Sequence, residues 1–189
     1  MPTRRAPSRL LLITGAPASG KTRLAGDLGA RYGGGRCSKD QIKEILFEAL
    51  GTGDAAWSRR LSDASFALLF SWAPQLLAVH PLVLLEGNFR SGEHEPPLRA
   101  LLEGSGARAA QVLCVAKPAT RAARLAARAA DPARHRGHRD GQIDPGAAGG
   151  ARFLDLPGPR WQFNSDADRE GELAVLCAEL DRWYPRSEV

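Results

Sequence analysis

The sequence predicts an α/β fold, a three-layer sandwich whose five-stranded parallel sheet is covered by helices on both faces, and three observations lead to it. Short apolar runs alternate along the chain with longer segments of helical periodicity, the pattern of strand-helix-strand units. Two of the runs, at 10–14 and 81–86, are dominated by leucine, isoleucine and valine, as strands buried on both faces are. The first leads directly into Gly15-Ala16-Pro17-Ala18-Ser19-Gly20-Lys21-Thr22, which satisfies G-x-x-x-x-G-K-[ST], a phosphate-gripping turn between a strand and a helix.

Each element follows in order. Residues 21–32 have helical spacing and stop at Gly33-Gly34-Gly35, and a short strand around 36–38 comes next. Ser38 suits a helix N-cap, and Ile42, Ile45, Leu46, Ala49 and Leu50 recur at helical steps until Gly51. A long apolar-rich helix spans 54–79, with Pro74 as a point of bending and with aromatics expected in the core. After the strand at 81–86 come a helix at 95–102, a strand at 111–116 and a helix at 118–130 with proline in its first turn. Residues 131–150 are rich in Gly, Pro, His and Arg, lack periodicity and read as a mobile lid. A strand at 161–163 and an amphipathic helix at 168–183 close the chain.

A chain of 189 residues suits a single domain over 1–189, with a core of ordinary size. Hydrophobic residues make up 43% and charged residues 25%, and no apolar run reaches the length of a membrane helix, so a cytoplasmic location is expected. Cys37, Cys114 and Cys177 are odd in number and set among apolar neighbours, which suits buried thiols rather than disulfides or a metal site. The net charge of +5 has a local source. Between positions 117 and 140 lie seven basic and two acidic residues, so the rest of the chain is neutral. An excess confined to one segment suits a polyphosphate clamp better than a track for a long nucleic acid.

Ligands of parallel sheets bind at the carboxyl ends of the strands, so residues just after each strand are expected to converge. The phosphate loop, residues 15–22, is expected to bind the nucleotide, with Lys21 reaching the β- and γ-phosphates and the Thr22 hydroxyl holding Mg²⁺. After the second strand, Asp40 is placed to take the proton of an attacking hydroxyl, or else to cap the following helix. Lys39 either binds the acceptor or is solvated. Glu86, a carboxylate ending an apolar strand, faces Mg²⁺ or pairs with Lys21 or Arg90. Asn88 and Arg90 carry donors suited to an acceptor. Arg121, Arg124 and Arg128 fall on one helical face and can neutralise phosphoryl charge, or form a solvated basic face, and Arg134, Arg136 and Arg139 stand on the lid. His135 and His138 lack partners arranged for a zinc site.

With these residues in place, the chain resembles the small P-loop kinases of the adenylate-kinase-like group. More narrowly, it is similar to the AAA-labelled ATP-binding kinases akin to chloramphenicol phosphotransferase, zeta toxins and the kinase domain of polynucleotide kinase. The resemblance rests on residues 15–22, on Ser38-Lys39-Asp40-Gln41-Ile42, on Leu85-Glu86-Gly87-Asn88-Phe89, and on the arginine helix running into Arg134-His135-Arg136-Gly137-His138. It implies the P-loop nucleoside triphosphate hydrolase fold with strand order 2-3-1-4-5, ATP and Mg²⁺ as cofactors, an Asp base, lid arginines on phosphates, and Asn164-Ser165-Asp166 near adenine. Two features depart from those relatives: Lys39 precedes a single acid after the second strand, and the third strand ends in Glu86 where many have Asp. The expected activity is phosphotransfer from ATP to a hydroxyl of a small antibiotic- or nucleoside-like acceptor. A 5′-hydroxyl polynucleotide kinase and a nucleotide-binding switch are the alternatives.

Overall fold

The centre of the molecule is strand β1 (Arg9–Gly15), bonded in parallel to β3 (Leu82–Glu86) on one side and β4 (Arg108–Val115) on the other. The computed structural model describes residues 7–138, 140–143 and 151–185, without the side chain of Arg136. The remaining strands, β2 (Gly35–Ser38) and β5 (Arg160–Asn164), sit at the edges, so the all-parallel sheet has the order β2-β3-β1-β4-β5. The order agrees with the expectation. Its register aligns Ser38 of β2 with Glu86 of β3, and Glu86 with Ile13 of β1.

Successive residues of a strand point to opposite faces, and β1 divides the core accordingly. Leu10 and Leu12 join Val83, Leu85, Phe66, Leu69 and Leu98 beneath α3 (Ala55–Val79) and α4 (Glu95–Ser105). Leu11 and Ile13 join Leu84, Phe163, Leu24, Leu28 and Leu176 beneath α1 (Lys21–Tyr32) and α6 (Arg169–Trp183). The other helices are α2 (Lys39–Leu50) and α5 (Pro118–Ala130). Cys37, Cys114 and Cys177 are all buried and reduced, as expected, and burial pushes the Cys114 thiol up to about 12.

The helix α3 continues through Pro74. Several expectations are corrected. Strand β4 begins at Arg108, because Ala109 and Ala110 are small residues packed against β1 that carry little strand signal of their own. The segment before β5 delivers Leu154 to the core, where the buried Gln111 side chain accepts from its N–H at 2.8 Å and donates to its carbonyl at 3.0 Å. On α2, Ile45 and Leu50 are exposed, and the buried face holds Lys39 and Lys43 beside Ile42 and Phe47. Ser38 occupies the N-cap position but makes no side-chain cap bond, because its hydroxyl is used elsewhere. The stretch expected to be an irregular lid contains two 3₁₀ turns, Arg136–His138 and Asp140–Gln142. Arg139, the Arg136 side chain and residues 144–150 lie outside the described residues.

Candidate functional site

The phosphate loop leaves β1 and enters α1 at Gly20, whose φ of 96° is a conformation that glycine adopts without the cost a side chain would bring. As N-cap, Gly20 has no side chain to satisfy the N–H groups of the first helical turn. Those donors, with the positive end of the helix dipole, form a cradle that fits a phosphate. Lys21 follows, buried, its Nζ donating to the Ala16 carbonyl at 3.1 Å across the loop. Gly15, Ala16, Pro17, Ala18 and Ser19 complete the turn, closed by a bond from the Ser19 N–H to the Ala16 carbonyl. Ala18, the described non-glycine residue with positive φ, and Ser19 are buried within it.

Thr22 and Glu86 lie behind this cradle. Thr22 Oγ1 is 3.5 Å from Glu86 Oε1, and Ser38 Oγ donates to Glu86 Oε2 at 2.6 Å. Glu86 is 1% exposed and makes no ion pair with Lys21 or Arg90 among the described residues, so the salt-bridge alternative is set aside. A hydroxyl and a carboxylate brought together are hard oxygen donors of the kind Mg²⁺ takes, and Thr22 and Glu86 therefore fit that ion.

A cavity of about 170 Å³ opens in front of the loop. Pro17, Ala18, Gly20, Lys21 and Thr22 form one wall, Lys39, Asp40 and Lys43 of α2 another, and Ser62 of α3 and Asn88 stand between. Arg128 of α5, with Arg134, His138, Asp140 and Ile143 from the lid, closes the far side. Asp40 keeps 42% of its side chain exposed and receives a hydrogen bond from Lys39 Nζ at 3.2 Å. Burial pushes its carboxyl up, but the charges of Lys39, Lys21 and His138 outweigh that and hold it below the usual carboxylate range. It is therefore ionised at neutral pH.

The sequence also places residues here that the structure puts elsewhere. Arg90 is not at the cavity: Glu93 at 2.7 Å and Asp63 at 3.4 Å hold its guanidinium on the surface, where it is 50% exposed. Arg124 touches the loop rather than the cavity, donating to the Ala18 carbonyl at 3.1 Å and to the hydroxyl and carbonyl of Ser165 at 2.8 and 3.1 Å. Arg121 is buried and does not line the cavity, so of the three arginines on the face of α5 Arg128 alone reaches it. Asn164 holds its own turn, its Oδ1 accepting from the Asp166 N–H at 3.1 Å and its N–H donating to Glu172 at 3.0 Å.

Lys43, Ser62 and Asp140 went unread in the sequence. Lys43 had a signal, since it lies one turn from Lys39 and Asp40 on the same helix. Ser62 and Asp140 had none, because each is brought in by a separate element. The histidines of the lid meet α2: His138 Nε2 is 2.5 Å from Glu44 Oε1, His135 Nε2 is 3.0 Å from Glu48 Oε1, and the His135 ring stacks on Phe47 with centroids 5.2 Å apart. Arg134 bridges Asp140 at 2.7 Å and Glu44 at 3.2 Å.

No helix among the described residues is long and apolar enough to cross a membrane. The sequence pattern of the AAA domain matches residues 10–144, which include the phosphate loop, α2, β3 and α5. Among curated proteins, none matches the chain. Among solved structures, a candidate kinase from Chloroflexus aurantiacus J-10-fl superposes with a TM-score of 0.82 at 27% identity, over 92% of this chain and 98% of that one. A sugar kinase from Janibacter sp. HTCC2649 gives 0.63 at 12% identity, over 93% and 95% of the two chains. A gluconokinase from Sinorhizobium meliloti 1021 gives 0.54 at 14% identity, over 95% and 99%. The chain thus belongs to the AAA-domain family, in its small P-loop, kinase-like form.

Proposed function

We propose that the chain is an ATP-dependent kinase that transfers the γ-phosphoryl group to a hydroxyl of a small-molecule acceptor. The observation that carries this reading is one small cavity lined both by an ionised carboxylate, Asp40, and by Lys21 and Thr22 of the phosphate loop, beside which a γ-phosphate would lie. A nucleotide switch needs no such carboxylate on the acceptor side. The kinase names of the similar structures agree with it.

In the proposed reaction the acceptor oxygen attacks the γ-phosphorus, the bond from that phosphorus to the β–γ bridging oxygen breaks, and ADP leaves with the electron pair. The acceptor proton passes to a carboxylate oxygen of Asp40. Lys21 and Arg128 face the charge that spreads over the phosphoryl oxygens, while Arg124 holds the loop through Ala18. Thr22 and Glu86 would hold Mg²⁺, which when bound neutralises phosphate charge. Asn88 and Ser62 offer hydrogen bonds to the acceptor. Arg134 and His138, tied to α2, keep water out of the far side.

The test is ADP release from Mg·ATP with a panel of hydroxyl acceptors, beside Asp40→Asn. Turnover raised by one acceptor, with a phosphate gained by mass and both effects lost in the variant, supports the kinase. Slow hydrolysis indifferent to every acceptor and to Asp40 removes it in favour of a nucleotide switch. Stimulation by 5′-hydroxyl oligonucleotides alone moves the acceptor to a polynucleotide.

A further inference from the structure

Lysine is rarely buried without a carboxylate beside it, because the ammonium loses its water and gains nothing in return. The cavity holds two buried lysines on the acceptor side. Lys39 is 4% exposed and Lys43 8%, both on the inner face of α2 where a helix normally packs apolar side chains. Lys39 leans over the Phe66 ring, 5.8 Å from its centroid, and shares Asp40. Lys43 lies 5.2 Å from the centroid of Phe47 and donates to Ser58 Oγ at 2.9 Å, with no carboxylate partner among the described residues. The carboxylates nearby compensate only in part: the charges of Asp40 and Asp63 favour the Lys43 ammonium, but neither makes an ion pair with it among the described residues. Asp140 is taken by Arg134, and Asp40 serves Lys39 and sits within the field of Lys21. Burial and the neighbouring Lys39 charge outweigh Asp40 and Asp63 and pull the Lys43 ammonium down to about 8.

A triphosphate does not answer this need. Its phosphates belong at the loop with Lys21 and at Arg128, whereas Lys43 stands on α2 beside Asp40 and is bonded to Ser58 of α3. We infer that the acceptor is itself an anion: a small alcohol bearing a carboxylate or a phosphate monoester, whose negative group is received by Lys39 and Lys43. The inference rests on the kinase reading and narrows its substrate class.

The geometry bounds the acceptor further. Asp40 and Lys43 are three residues apart on one helix, so their side chains start about 5–6 Å apart. A short carbon chain spans the gap between a reacting hydroxyl at Asp40 and an anionic group at Lys43. The cavity measures about 170 Å³, part of which the γ-phosphate takes, so the room left suits an acceptor of a few carbons and an acidic group better than a nucleotide chain. Ser62 and Asn88 remain for the other hydroxyls.

The experiment is calorimetric titration of the full chain, saturated with Mg²⁺ and a non-hydrolysable ATP analogue that fills the phosphate loop. The probes are matched trios: glycerol, D-glycerate and glycerol 3-phosphate; D-ribose, D-ribonate and D-ribose 5-phosphate. A 5′-hydroxyl, 3′-phosphate dinucleotide joins them. We expect at least one anion to bind 30-fold or more tightly than its neutral parent, and Lys43→Met and Lys39→Met each to weaken it at least tenfold. Lys43→Arg should restore most of the loss. Affinity for the ATP analogue, holding within threefold, shows that the variants are folded. The carboxylate and phosphate arms tell which anion is preferred. Equal binding of neutral and anionic members, anion binding indifferent to Lys43→Met, no binding by any anion, or tightest binding by the dinucleotide would overturn the inference. The same trios are then run with Mg·ATP. Anion binding without a phosphorylated product removes the kinase reading and leaves the anion site, whereas phosphorylation of neutral members alone does the reverse.

Discussion

Ser38 Oγ donates a 2.6 Å hydrogen bond to Glu86 Oε2, and the two are register partners on the neighbouring parallel strands β2 and β3. The bond explains why Ser38, standing at an N-cap, does not cap α2. It also gives a fully buried carboxylate, aimed at Thr22, the donor that water would otherwise provide: the adjacent strand supplies it. Removing that donor in Ser38→Ala leaves a buried carboxylate oxygen without its partner, at a cost of about 1–3 kcal/mol. A urea titration should show the midpoint falling by roughly 1 M. An unchanged midpoint would mean that water replaces the hydroxyl and that the bond does not organise Glu86.

Asp40→Asn keeps the size of the side chain and removes the base. Acceptor-dependent turnover should fall by about 10²–10⁴-fold while the nucleotide Kd stays within about threefold. Because Lys39, Lys21 and His138 outweigh burial and hold the carboxyl below its usual range, the base stays ionised as the medium is acidified. The acid limb of kcat/KM due to this group should lie below pH ~4. A limb near neutrality that survives in wild type and vanishes in Asp40→Asn contradicts this ordering of charges.

Lys43 gives a signature above neutrality. Its folded-state value is drawn down from 10.5 to about 8, so between those values the unfolded chain binds the proton and the folded chain does not. Unfolding free energy therefore rises with pH across that window, relative to Lys43→Met, which lacks the group. An anionic acceptor has the opposite preference, since it needs the ammonium charged. Its KM should climb above pH 8 in wild type and stay flat to higher pH in Lys43→Arg. Parallel KM profiles in the two proteins would separate Lys43 from acceptor binding.

Arg124 acts on the phosphate loop from outside. Its bonds to Ala18 and Ser165 join the loop to the turn after β5, and charge-assisted bonds of this kind contribute about 1.5–3 kcal/mol. Arg124→Ala should lower stability by that order and weaken nucleotide binding tenfold or more, measured by calorimetry. Arg90→Ala, whose side chain meets the surface carboxylates Asp63 and Glu93, should do neither beyond a few tenths of a kcal/mol. Equal effects of the two substitutions would mean that Arg124 does not hold the phosphate loop.

The lid rests on α2 through Phe47, Glu44 and Glu48. A Cβ added at Gly137 would run into the Phe47 ring, so Gly137→Ala should detach this segment locally. Limited trypsin treatment should then cut near Arg134 at least tenfold faster, with the melting temperature lowered by only a few degrees. Acid should act in the same direction. Burial, and then the Arg134 charge, pull His138 below 6.5, so an undocked lid takes up the proton first and docking weakens as pH falls through that value. Cleavage independent of both Gly137 and pH would show that the clasp does not hold the lid.

The sequence by itself determined the fold and the nucleotide side of the site. Alternating apolar runs and helical segments specify a parallel α/β sheet, and residues 15–22 specify its phosphate loop, because both signals are carried by contiguous residues whose local conformation they fix. Asp40, Asn88 and Arg128 were legible for a related reason: the carboxyl ends of parallel strands must converge, so position along the chain predicts position in space. Tertiary structure alone decided the rest. Arg90 and Arg128 look alike as sequence, yet Glu93 and Asp63 hold one on the surface while the other meets the cavity. The helical period of α2 suggests Ile45 and Leu50 for its inner face, and packing against α3 chose Lys39 and Lys43 instead. Such choices depend on which distant side chain arrives opposite, a matter of register and helix packing to which no local stretch of sequence responds.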